Sequence, residues 1–112
     1  MVAPAVAQAP GRWVKGAPLP EPSEELVGGS VGGKFYVFGG LGPGWIPQSL
    51  VYEYNSAMNS WSKLPMMTMP WHGLGGAIVG VRLHLASGDI QFAGITGMHV
   101  ATDSHDIFGL AD

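Results

Sequence analysis

Glu24, Glu25, Trp45, Gln48, Trp71, His72, His99 and Asp103 are the residues of this 112-residue chain whose types could act together on a ligand. A tryptophan offers a flat ring on which a sugar or a peptide side chain can stack, while carboxylates, an amide and imidazoles orient its polar groups. A carboxylate beside an imidazole can also pass a proton. Trp45 and Trp71, each taken singly, could instead pack down over their own loops. His99, Asp103, His105 and Asp106 follow one another at spacings of four, two and one. That pattern fits no defined ligand set, so no metal is expected. Asp106 reads as capping or turning the entrance to the third strand, and His84 as an interior or inter-blade residue. The absence of cysteine removes disulfides, thiolate catalysis and Cys-ligated zinc or iron–sulfur sites. There is no nucleophile elbow and no phosphate loop, and the glycine pairs lack the G-x-G-x-x-G arrangement before a helix. No catalytic residue is assigned, and no cofactor is expected.

Composition limits what can hold these residues in place. The chain is 46% hydrophobic and 12% charged, against a usual charged share of about 25%. Its 18 glycines and 9 prolines would suggest disorder, but there is ample apolar surface to bury. The two facts together suit an all-β domain with many tight turns, and the length allows one domain. The net charge is −3, with no cluster of cations, so nucleic acid is not an expected partner. No apolar run approaches the roughly 20 residues of a membrane span. Ala7-Gln8-Ala9 has the form of an export-signal cleavage site, which would be compatible with a periplasmic or secreted protein. The charged region that should precede it is missing and the apolar run is short. Residues 1–11 therefore read as a flexible Ala/Pro-rich tail, and the compartment stays open.

The rest of the chain repeats. Trp13 and Trp61 are 61 − 13 = 48 apart, and the same shift places Lys15 on Lys63, Pro22 on Pro70, Gly28 on Gly76 and Gly32 on Gly80. It also places Lys34 on Arg82, Phe35 on Leu83, Val37 on Leu85 and Gly40 on Gly88. Further on, residues 51–54 match 107–110 with a shift of 56, which makes the preceding loop 56 − 48 = 8 residues longer in the second copy. A period near 48 is that of a propeller blade.

Each copy reads as four short strands. Ser30-Val31 and residues 77–79 are first strands, and Lys34–Phe38 and Arg82–Ala86 are second strands after glycine turns. Residues 51–54 and 107–110 are third strands. Ser60–Lys63 is a fourth strand, repeated near the start at residues 12–15. No segment holds a helical period for three turns.

These residues resemble the kelch family, whose repeat carries a Gly-Gly pair after an apolar strand, then a tyrosine, then a tryptophan about seven residues later. Here they are Gly39-Gly40 after Phe35-Tyr36-Val37-Phe38, then Tyr54, then Trp61. The second copy departs from the pattern, with Ser87-Gly88 for the glycine pair and Leu110 at the tyrosine position. The resemblance covers residues 12–112 and extends to bacterial kelch proteins related to sialate mutarotases. It implies two four-stranded antiparallel blades per chain, packed face to face. Kelch oxidases that use copper with a cysteine cross-linked to tyrosine are excluded by the lack of cysteine. Where the family often has arginine this chain has His72, a departure that weakens any transfer of a ligand-binding role.

A propeller closes with 4 to 8 blades, and two blades alone would expose two apolar faces. The order of strands, from a fourth strand through one full blade to a third strand, suggests head-to-tail assembly. Three chains would make a six-bladed homotrimer; the alternative is a fragment of a longer propeller. Meander topology brings the loops carrying Glu24, Glu25, Trp45, Gln48, Trp71, His72, His99 and Asp103, with His105 as a further candidate, to one end. The expected function is non-catalytic binding of a sugar or a peptide at that end, and the alternative is a small sugar-processing enzyme of the mutarotase type.

Overall fold

The Gly32-Gly33 pair lies between two apolar segments, and in the computed structural model both glycines have positive φ, 61° and 78°, as a two-residue hairpin turn requires. Residues 10–90 and 100–110 are described. Their strands are β1 (Val27–Val31), β2 (Lys34–Phe38), β3 (Leu41–Gly42), β4 (Ile46–Pro47), β5 (Val51–Asn55), β6 (Ser60–Lys63), β7 (Gly75–Val79), β8 (Arg82–Ala86) and β9 (His105–Gly109). They form an antiparallel sheet β1-β2-β5-β6, a second antiparallel sheet β7-β8-β9, and a small ribbon β3-β4 in the connection between β2 and β5. The protein is all-β, its two larger sheets built as antiparallel propeller-type blades, with no helix among the described residues.

Three sequence expectations need correction. The first strands begin earlier than the apolar runs did, because glycines enter them. A Cβ on Gly29 would lie 2.9 Å from Ile78 Cδ1, and one on Gly76 would lie 2.8 Å from Val27 Cγ2. The missing side chains let β1 and β7 approach each other, which an apolar count cannot register. Next, the second sheet holds its first three strands among the described residues, as the order of strands implied, but the strand expected near the start is not formed. Residues 12–15 form no strand, and Trp13 is 98% exposed.

The third correction concerns register. Lys34 faces Asn55 and Arg82 faces Gly109, so the shift on the third strand is 109 − 55 = 54, not 56. The loop before β9 is therefore 54 − 48 = 6 residues longer, not 8. Loop hydrogen bonds obey the same rule. Gly39 N–H donates to Leu50 O (2.8 Å) as Ser87 N–H donates to Ser104 O (3.0 Å), and Gln48 N–H donates to Gly40 O as Thr102 N–H donates to Gly88 O. The residue matching Tyr54 is thus Phe108, an aromatic ring, and not Leu110. A slip of two residues keeps every side chain on its face, so the apolar pattern could not detect it.

Alternation along β2 sends Tyr36 and Phe38 to one face and Val37 to the other. Tyr36, Phe38 and Val51 pack with Trp71, Leu83 and Leu85 to form the core between the two sheets, and Phe108 joins edge-on to Phe38 at 5.7 Å. On the opposite face of the first sheet, Val37, Leu50 and Tyr52 pack with Leu19, Leu26 and Trp61. The Trp61 ring sits among Phe35, Tyr52 and Tyr54, and its Nε1–H donates to Ala17 O at 2.9 Å. Asn59 Oδ1 accepts from Ala17 N–H (2.7 Å) and from the Tyr54 hydroxyl (2.6 Å). The segment around residue 17 is thereby tied to the outer edge of the first sheet.

Candidate functional site at the loop-bearing end

The connections β2–β5, β6–β7 and β8–β9 leave an antiparallel meander at the same end, and backbone hydrogen bonds lock them together there. Gly40 N–H donates to Trp71 O (2.8 Å), Trp71 N–H to Gln48 O (3.1 Å), and Gly73 N–H to Glu25 O (3.0 Å). His72 and Asp89 exchange backbone bonds of 3.0 and 2.9 Å, as Glu24 and Leu41 do at 2.9 and 2.6 Å. The two bridges are related by the 48-residue shift. Each repeat therefore builds the same cleft, but the first is bounded by Glu24 and Leu41 and the second by His72 and Asp89.

The cleft of the second repeat has the richer chemistry. It encloses about 320 Å³ and is lined by Glu25, His72, Gly73, Gly88, Asp89 and Ala101. His72 is fully buried, and its Nδ1 lies 2.7 Å from Oε2 of Glu25, whose side chain is 52% exposed. Its Nε2 lies 3.8 Å from Asp89 Oδ1, an oxygen that also accepts from Val100 N–H at 3.0 Å. An imidazole flanked by two carboxylates is fixed in orientation, and the carboxylates present acceptors to the opening. Glu25 stands at φ 58° where the next repeat has Gly73 at φ 59°. Left-handed backbone at a non-glycine residue costs about 1–3 kcal/mol and gathers at functional positions.

The neighbouring cleft, about 290 Å³, is lined by Pro22, Ser23, Glu24, Leu41, Gly42 and Pro43. Glu24 is exposed there. Trp45 is 59% exposed on the turn between β3 and β4, also in left-handed backbone at φ 64°. Gln48 is half-buried, and its Oε1 has no hydrogen-bond partner among the described residues. Asp103 is exposed on the β8–β9 connection. His99 and Ala7-Gln8-Ala9 fall outside the described residues.

Trp71 behaves differently from the sequence expectation of a ligand-stacking ring. It is completely buried, and its Nε1–H donates to Ser87 O at 2.5 Å. In the first repeat Ser23 Oγ donates to Gly39 O at 3.0 Å, the same bond 48 residues earlier. Trp71 is thus a core residue that closes the loop behind the glycine-pair position. His105 also leaves the loop set: it lies in β9, with its Nε2 3.0 Å from Nδ1 of His84. His84 is half-buried on the face of β8 opposite Leu83 and Leu85. Asp106 lies within β9 rather than before it, and its carboxylate accepts from the Thr68 hydroxyl at 2.6 Å.

Sequence reading missed Asp89. A signal existed, since the 48-residue shift sets a carboxylate at position 89 where the first repeat has Leu41.

Comparison with known proteins agrees with this architecture. Residues 26–68 match the model of the Kelch motif. The chain is similar to the solved structure of YjhT, with a TM-score of 0.66 and 28% sequence identity. The match covers 75% of this chain and 27% of that one, so the chain spans about a quarter of the length of that structure. No curated protein sequence matches the chain.

Proposed function

We propose that this chain, whose residues 26–68 are a kelch motif, is a binding module that takes a sugar or a peptide at its loop-bearing end. The observation that carries this reading is the Glu25–His72 pair. A buried imidazole is held 2.7 Å from a half-exposed carboxylate at the wall of an open cleft. Trp45 adds an exposed ring on the same end, suited to stacking. The test is saturation-transfer NMR against monosaccharides, N-acetylneuraminate among them, and short peptides. Glu25→Gln and Trp45→Ala are each expected to lose the transfer signal. A signal unchanged in both variants overturns the proposal.

The same pair supports a second reading, a sugar-processing enzyme of the mutarotase type, because carboxylate and imidazole within hydrogen-bond reach can relay a proton. Exchange NMR on an equilibrating sialate solution separates the two. Faster anomer interconversion that is lost in His72→Gln supports the enzyme, and binding without faster interconversion supports the module.

A further inference from the structure

The outer edge of β9 carries no strand among the described residues, and residues 12–15 have no strand beside them. The two are complementary when superposed on the first sheet. There the outer pair β5–β6 is registered Asn55↔Ser60, Tyr54↔Trp61, Glu53↔Ser62 and Tyr52↔Lys63. Moving β5 onto β9 by 54 residues and β6 onto residues 12–15 by 48 gives Gly109↔Arg12, Phe108↔Trp13, Ile107↔Val14 and Asp106↔Lys15. An aromatic ring then meets an aromatic ring, a β-branched residue meets another, and a carboxylate meets an ammonium, each a favourable cross-strand pair.

A cavity waits at the corresponding place. Trp61 rests on the face of the first sheet that carries Tyr52 and Tyr54, whose counterparts in β9 are Asp106 and Phe108. Both of these line a cavity of about 80 Å³ against the β9 edge, together with Phe38, Met66 and Leu85. This is where the ring of Trp13 would enter. The 98% exposure of Trp13 leaves its indole without cover among the described residues.

The chain's own residues 12–15 cannot supply the strand. Ala17 is bonded to Asn59 and Trp61 at the outer edge of the first sheet, on the face turned away from the second. Lys15 is two steps along the chain from that anchor, a span of about 7 Å at most, whereas stacked sheets lie about 10 Å apart. We propose that residues 12–15 of a second copy of this chain add to β9 as the fourth strand, with Trp13 seated in the cavity. Repeated head to tail, the contact closes when three copies supply six blades.

The test joins light scattering to cross-linking, which the absence of cysteine makes clean. Wild-type protein is expected at a multiple of the 11.7 kDa chain mass, three copies for a closed ring, and Trp13→Ala is expected to raise the dissociation constant at least tenfold. Opposed residues in an antiparallel pair have Cα atoms within disulfide range. Val14→Cys and Ile107→Cys chains, mixed and oxidised, should therefore cross-link, and neither should do so alone. A monomer at every concentration overturns the proposal. So does a cross-link from Val14→Cys that forms equally well with Gly109→Cys, since that would mean the strands meet without this register.

Discussion

Oε2 of Glu25 lies 2.7 Å from Nδ1 of His72, and the two residues belong to consecutive repeats. One repeat supplies the exposed carboxylate and the next supplies the buried ring, so the site exists only where two blades meet. The left-handed backbone of Glu25 is a strain that the packing of the blades must sustain.

Glu25→Gly is expected to separate stability from function. Removing a side chain at φ 58° relieves about 1–3 kcal/mol of left-handed strain, and losing a charged hydrogen bond costs about 1.5–3 kcal/mol. Urea denaturation should therefore show a net change of no more than about 2 kcal/mol. Ligand binding by titration calorimetry should fall at least tenfold; a variant that binds as well as wild type removes Glu25 from the site.

The two candidate tryptophans are expected to respond in opposite ways. Trp71→Ala empties a fully buried site and should cost about 3–5 kcal/mol in a denaturation experiment. Trp45→Ala changes an exposed turn residue and should stay within about 0.5 kcal/mol of wild type while weakening binding. Equal destabilisation by both would contradict the burial pattern.

Ser87 has φ 60° where the first repeat has Gly39 at 70°. Ser87→Gly should raise the urea midpoint, equivalent to about 1 kcal/mol. Gly39→Ser should do more harm than the reverse change does good, because a Cβ there would sit 2.4 Å from Trp71 O. A lower midpoint for Ser87→Gly would show that the serine is not merely tolerated.

The Tyr52 hydroxyl donates a hydrogen bond to Glu21, and that bond, burial and the negative charge of Glu21 together push its pKa from 10.0 up to about 12. A phenol whose pKa is raised on folding contributes stability that is fully present below pH 10 and lost as pH climbs toward about 12. The stability advantage of wild type over Tyr52→Phe should accordingly be constant near neutral pH and shrink above about pH 10. Paired denaturation curves across that range check the sign.

Local sequence determined the blades. Gly32-Gly33 and Gly80 announced their turns, the apolar alternation marked β2 and β8 to the residue, and the spacing of Trp13 and Trp61 revealed the period. Each of these signals is carried by neighbouring residues, since turn conformation and strand alternation are decided within a few positions. What lies far apart in sequence was decided only in three dimensions. The pairing of β9 with β8 follows a loop of altered length, and a two-residue slip leaves the apolar faces unchanged, so hydrogen bonding alone selected 54 over 56. Trp71 and Trp45 are the same residue type on loops at the same end. Nothing local separates the ring that fills the core from the ring that meets solvent. The closing of Asp89 onto His72 likewise depends on two connections folding back on one another. Burial and partnership belong to whatever surface the rest of the chain brings up against a side chain, and that surface is assembled only when the sheets pack.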